Sequence, residues 1–127
     1  EVHALTDVTG FGLAGHLLEM SRGANLRANL SWRDIPVIAE AVEFVKEDIY
    51  TGASTRNWQA YGGEVSFSSD TQPWQRHLLT DPQTSGGLLI ACAPKAKDQV
   101  LDLLHRSGFH EARAIGYFGS GQGLAMT

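Results

Sequence analysis

The sequence predicts an α+β domain in which helices pack on a largely antiparallel mixed sheet. Three observations lead there. Stretches with helical apolar spacing alternate with short stretches of period two along the whole chain. The connections between them are too short and too varied for a regular doubly wound sheet, which favours helices layered on a single sheet. The chain has 127 residues, 43% hydrophobic and 19% charged, which is ordinary for one globular core and short for two.

Gly10 to Arg22 reads as the first helix, because Phe11, Ala14, Leu17 and Leu18 recur at helical spacing. Thr9 is its expected N-cap and Gly23 its expected stop, with Arg22 against the negative end of the helix dipole. Leu26, Ala28 and Leu30 alternate with Arg27 and Asn29 and predict a half-buried strand. Pro36 fits the first turn of a second helix, with Ile38, Ala41, Val42 and Val45 as its apolar stripe. Tyr50 to Gly63 shows no clear period and reads as a long, partly helical loop. Val65 and Phe67 mark a strand, and a short helix is expected to follow Pro73 and end before Thr80. Leu88 to Ala93 is a continuous apolar run, the pattern of a central strand buried on both faces. Pro94 opens a helix with Val100, Leu103 and Leu104 inward, stopped by Gly108. Ala112 to Phe118 and Leu124 to Met126 are the last two expected strands.

Composition narrows the function. A net charge of −4 argues against a nucleic-acid module, which needs clustered Lys and Arg. No apolar run approaches the roughly 20 residues of a membrane-spanning helix, so no membrane role is expected. One cysteine makes neither an internal disulfide nor a multi-thiolate zinc site, and a reducing, cytoplasmic setting is the simplest expectation. The chain begins at Glu1 without a signal-peptide pattern and reads as part of a longer protein.

Two segments stand apart from the scaffold. Leu5-Thr6-Asp7-Val8-Thr9-Gly10-Phe11-Gly12 and Leu79-Thr80-Asp81-Pro82-Gln83-Thr84-Ser85-Gly86-Gly87 both begin Leu-Thr-Asp and run on into threonine and glycine. Asp7 lies just ahead of a helix start, where free N–H groups and the positive dipole end favour an anion. Gly10 and Gly12 leave room for a ligand to approach the backbone. A carboxylate beside such a turn suits Mg²⁺ bridging to a phosphate, since Mg²⁺ takes one or two protein carboxylates and fills its shell with water and phosphate oxygens. The same residues also suit a plain cap and turn. Likewise, Thr84, Ser85, Gly86 and Gly87 form either an anion-binding backbone nest or a tight turn feeding the next strand, after the turn opener Asp81-Pro82.

Taken together the segments resemble a known family. Thr6-Asp7-Val8-Thr9-Gly10-Phe11-Gly12-Leu13, followed by Gly15-His16-Leu17, resembles the opening of the C-terminal domain of selenophosphate synthetase (selenide, water dikinase). Thr80 to Leu89 resembles that family's second signature, and Gly52-Ala53-Ser54-Thr55-Arg56-Asn57 a third. The resemblance implies that residues 1–127 are a single C-terminal domain, with the fold of the aminoimidazole ribonucleotide synthetase superfamily. The whole enzyme would use selenide, ATP and water to make selenophosphate, AMP and phosphate, placing it in selenium metabolism. Its N-terminal domain, absent from this chain, would hold most of the ATP site, further metal-binding aspartates and the catalytic Cys or selenocysteine. No catalytic residue is then expected in this chain. The family is usually dimeric through the N-terminal domains. Asp7 matches the family aspartate that joins Mg²⁺ at the ATP phosphates. Thr9, Gly10 and Gly12 are expected to shape the same corner. Asn57, Thr84, Ser85 and Gly86 match signatures expected to bind substrate, close over phosphates or hold the domain in shape. A purine-pathway synthetase, a thiamine monophosphate kinase and a non-catalytic α+β binding module are the alternatives.

The remaining chemistry-bearing residues have quieter expectations. His16 is assigned to helix packing or a surface hydrogen bond, and Cys92 to inert core within the apolar run. Ser85 has no recognisable triad partners, and the three tryptophans are too scattered for nucleic-acid stacking.

Overall fold

Apolar alternation on the strands and apolar stripes on the helices are resolved by stacking them. The computed structural model describes residues 1–127 in the order β1 (Val2–Asp7), α1 (Gly12–Ala24), β2 (Arg27–Leu30), α2 (Ala39–Lys46), α3 (Gly52–Tyr61), β3 (Val65–Phe67), α4 (Pro73–Leu79), β4 (Leu88–Cys92), α5 (Lys97–Arg106), β5 (Gly116–Gly119) and β6 (Leu124–Met126). The strands make two sheets: an antiparallel ribbon of β1 and β4, and a four-stranded sheet in the order β3-β6-β2-β5. Within the latter β2 pairs antiparallel with β5, whereas β6 runs parallel to both β2 and β3. The α+β class holds, and the antiparallel share is smaller than expected because β6 enters between two strands that run its own way.

Period two decides what each face does. Ala28 and Leu30 of β2 and Leu124 and Met126 of β6 are buried. Val65, Phe67 and Phe118 are partly buried against the same cluster, which also contains Ala14, Leu17 and Leu18 of α1. Leu18 has no exposed surface, and truncating such a residue to Ala typically costs about 2–5 kcal/mol. The intervening residues Asn29, Ser66, Tyr117 and Ala125 lie on the other face, where Tyr117 is 70% exposed.

Several boundaries and burials differ from expectation for identifiable reasons. Helix α1 starts at Gly12, not Gly10, because Gly12 takes φ +71°, and Phe11 rather than Thr9 occupies the cap position. It ends at Asn25 in the left-handed region (φ 55°), whose N–H reaches back to Arg22 O and Ser21 O, so Gly23 is not the stop. Pro36 precedes α2 instead of entering it. The segment expected to be a long, partly helical loop is helical as α3 over most of its length, with Thr51 Oγ1 accepting the Ser54 N–H at its start. β4 is not a central strand: it belongs to the two-stranded ribbon, with Leu88 59% exposed and only Leu89 buried. Cys92 is accordingly half-buried opposite Val2 rather than in the core. Nor does α5 turn its apolar stripe fully inward, since Leu103 is 60% exposed. No helix is long and apolar enough to cross a membrane.

Candidate functional site

The two Thr-Asp segments are laid against each other backbone to backbone. β1 ends at Asp7, which pairs with Leu88 across the ribbon. The next residue, Val8, donates its N–H to Gly87 O at 2.9 Å, and Gln83 N–H donates to Thr9 O at 3.1 Å. Glycine is required at two of these contacts. A Cβ on Gly86 would stand 2.1 Å from Val8 O, and one on Gly12 would stand 2.8 Å from Leu79 O and 2.9 Å from Asp81 O. Both glycines therefore serve close approach between the segments. Gly10 is different, since a Cβ there would meet nothing within 4 Å.

His16 locks the first turn from inside α1. Its Nε2 accepts the Thr9 N–H at 3.1 Å, and the Thr9 hydroxyl is also 3.1 Å away. With Nε2 acting as acceptor, the proton of the neutral ring sits on Nδ1, which faces Glu19 Oε2 at 3.0 Å. The ring is buried, so the expected helix packing and hydrogen bonding converge on the turn.

Helix α3 clasps both segments with polar side chains at helical spacing. Ser54, fully buried, meets Thr80 Oγ1 at 2.7 Å and His77 Nδ1 at 3.1 Å. Thr80 donates its hydroxyl hydrogen bond to Arg76 O at 3.0 Å, so Ser54 can donate to Thr80 and accept from His77. Asn57 Nδ2 donates to Gly10 O and to Thr80 O, each at 2.9 Å, and so bridges the two segments. Tyr61 donates its hydroxyl to Phe11 O. Gly15 lets the Tyr61 ring in, because a Cβ there would stand 3.1 Å from it.

Burial tunes the groups around this clasp. It pushes the Tyr61 phenol up to about 12, against a hydrogen bond with the Gly15 backbone that acts the other way. Burial lowers His77, aided by the Arg76 charge and opposed by Asp48, so the ring is favoured neutral; Tyr50 stacks on it at 3.7 Å. Asp81 is raised by burial, with a hydrogen bond from Thr51 opposing.

The eight residues expected at the site thus occupy one region in different capacities. Asp7 is exposed, and its carboxylate engages in no hydrogen bond or ion pair within the chain. Thr9, Gly10, Gly12 and Asn57 are tied together by the contacts above. Thr84 and Ser85 are exposed on the loop before β4, with Ser85 at φ 55° and Gly86 against Val8. The sequence reading missed Ser54, Tyr61, Thr80 and His77. Their signal was an i, i+3, i+7 spacing of Ser54, Asn57 and Tyr61, carried by polar rather than apolar residues. No group of three or more His, Cys, Asp or Glu side chains converges in the chain. Asp7 alone could offer a cation one carboxylate ligand, and the rest of any such shell would come from outside the chain.

Comparison with known proteins places the chain in a family. The family model described as AIR synthase related protein, C-terminal domain, matches residues 1–127. A selenide, water dikinase of Paraburkholderia xenovorans (strain LB400) is 52% identical over 122 residues, covering 96% of this chain and 34% of that protein. One of Burkholderia ambifaria (strain MC40-6) is 55% identical over 115 residues, covering 91% of this chain and 32% of that protein. The chain thus spans about a third of the length of the curated relatives it matches. Among solved structures, a thiamine-monophosphate kinase from Stenotrophomonas maltophilia K279a shares the fold, with TM-score 0.56 and 16% identity over 98% of this chain and 31% of that one. The chain belongs to the family of AIR synthase related proteins, as a C-terminal domain.

Proposed function

We propose that this chain is the C-terminal domain of a selenide, water dikinase, which makes selenophosphate, AMP and phosphate from selenide, ATP and water. The observation that carries the reading is the 52% identity over 122 residues to a protein of that name. The geometry supports a defined share of the work. Asp7 offers an exposed carboxylate beside the joined Thr-Asp segments, and it contributes one oxygen ligand to Mg²⁺ at the ATP phosphates. Bound there, Mg²⁺ would offset the negative charge of the polyphosphate. Thr9, Gly10 and Gly12 shape the corner next to it, held by His16 and α3. The loop Thr84-Ser85-Gly86 has three successive N–H groups without a hydrogen bond in the chain, which suits an anion.

The rest of the metal and nucleotide site comes from the protein's own N-terminal domain. Leu5 and Leu88 share the ribbon face with Asp7 and are 58% and 59% exposed. An apolar surround at a carboxylate is what a face covered by another domain presents. The full-length protein works as a homodimer in the cytoplasm, in selenocysteine biosynthesis, while the isolated chain folds without turning over ATP.

The test uses the full-length protein. Selenide-dependent formation of AMP from ATP is the expected result, and Asp7→Asn lowers it on the order of 100-fold, within the several kcal/mol that a metal supplies. ATP cleavage indifferent to selenide would overturn the activity. An unchanged rate in Asp7→Asn would remove Asp7 from the site.

A further inference from the structure

The side chain of Asn57 has a hydrogen-bonding sense that its partners dictate. Both atoms that its amide meets, Gly10 O and Thr80 O, are carbonyl oxygens, so only the NH₂ group can face them. Both of its hydrogens are used there. Its Oδ1 takes no hydrogen bond from the chain and is not a buried, unpartnered atom, so it stands open to solvent as an acceptor. A side chain arranged this way has nothing left to donate to a phosphate oxygen.

We infer that Asn57 is a positioning residue: it ties the two Thr-Asp segments into one unit and sets the direction of the peptide groups Gly10–Phe11 and Thr80–Asp81. This deepens, and rests on, the phosphate- and Mg²⁺-handling role given to those segments above. Every peptide bond in the chain is trans, and in a trans peptide the carbonyl and the following N–H point opposite ways. Holding Gly10 O and Thr80 O toward α3 turns the N–H groups of Phe11 and Asp81 away from it. Neither N–H makes a hydrogen bond within the chain. Tyr61 grips the next carbonyl, Phe11 O, so the first turn is held at two successive oxygens by one helix. Asn57 alone reaches both segments, and it contributes by placing backbone rather than by touching nucleotide.

Amide hydrogen exchange and steady-state kinetics of the full-length protein test this, with Asn57→Asp and Asn57→Ala as variants. Asp sets oxygens against two carbonyls, and Ala removes both donations. Two net hydrogen bonds correspond to roughly a 30-fold ratio. Exchange is expected to rise by roughly that factor at the bonded amides of Val8, Thr9 and Gly12 and at those of Thr80 and Gln83 together, while β2 and β6 keep their protection. In the kinetics the half-saturating Mg²⁺–ATP concentration should rise more than kcat falls. Glu64→Gln, which loses only the exposed pair with Arg22, serves as a control that leaves both readouts unchanged. Exchange rising in one segment alone, or in neither, would overturn the inference. The unaltered protein gives a second measurement: the Asn57 side-chain amide protons should exchange slowly, and free exchange there would also overturn it. Should the unaltered enzyme show no selenide-dependent ATP cleavage, the activity reading fails, and the exchange measurements still decide the role of Asn57.

Discussion

Replacing Gly86 with Ala tests whether the two Thr-Asp segments are really packed backbone on backbone. The added Cβ would start 2.1 Å from Val8 O and 2.8 Å from Gln83 Oε1. Gln83 Oε1 ends a flexible side chain and can swing aside, whereas Val8 O is main chain. An ordinary contact needs about 3.4 Å, so the segments must part by roughly 1 Å. That separation strains Val8 N–H to Gly87 O and Gln83 N–H to Thr9 O, now 2.9 and 3.1 Å. Each is worth about 1 kcal/mol net, and overpacking of a tight site adds roughly 1–3 kcal/mol. The expected loss is therefore about 3 kcal/mol. In urea titrations this moves the midpoint down without changing the slope, and in thermal melts it lowers Tm by roughly 10 °C. Gly87→Ala is the control, because a Cβ there meets nothing within 4 Å. If the two variants melt within a degree of each other, the close approach does not exist.

The neighbouring contacts make further expectations. His16→Gln keeps an acceptor near the Nε2 position, whereas His16→Ala leaves the Thr9 N–H unpaired; the Ala variant should lose about 1–2 kcal/mol more stability in denaturant titration. Tyr61→Phe removes the hydroxyl from Phe11 O and should cost about 1–2 kcal/mol, and an alkaline absorbance titration should lose the phenol that burial pushes up to about 12. His77 is lowered from 6.5 in the fold, so the unfolded chain binds its proton first. Its stabilisation is full above that value and declines as the pH falls through it, and His77→Asn should flatten that part of the stability–pH curve.

The sequence was legible where burial follows chemistry. Val65 with Phe67, Ala28 with Leu30, and Leu124 with Met126 alternate because one sheet face is core, and each pair lies in a strand. Pro73 and Thr80 bound α4 as read, because proline suits a first turn. Helix α3 was legible only as a partly helical loop because the face it turns inward is Ser54, Asn57 and Tyr61, so the period lies in hydrogen-bonding groups that an apolar count passes over. The Leu88 to Ala93 run misled for the opposite reason: its apolar side chains lie on a two-stranded ribbon and stay partly bare. At the site, the motif residues lie close together in the fold, but the close approach made at Gly12 and Gly86 was not legible, because contact between distant backbone segments leaves no local trace.

The place of β6 has a consequence for assembly. Its three residues, the last strand along the chain, lie between β2 and β3 and join them. During synthesis those two earlier strands have no mutual ladder to close, and their apolar faces wait until Leu124–Met126 leaves the ribosome. Chains cut before Leu124 should therefore leave β2 and β3 unjoined and their apolar faces bare, and emergence of this tripeptide should commit the sheet in one step.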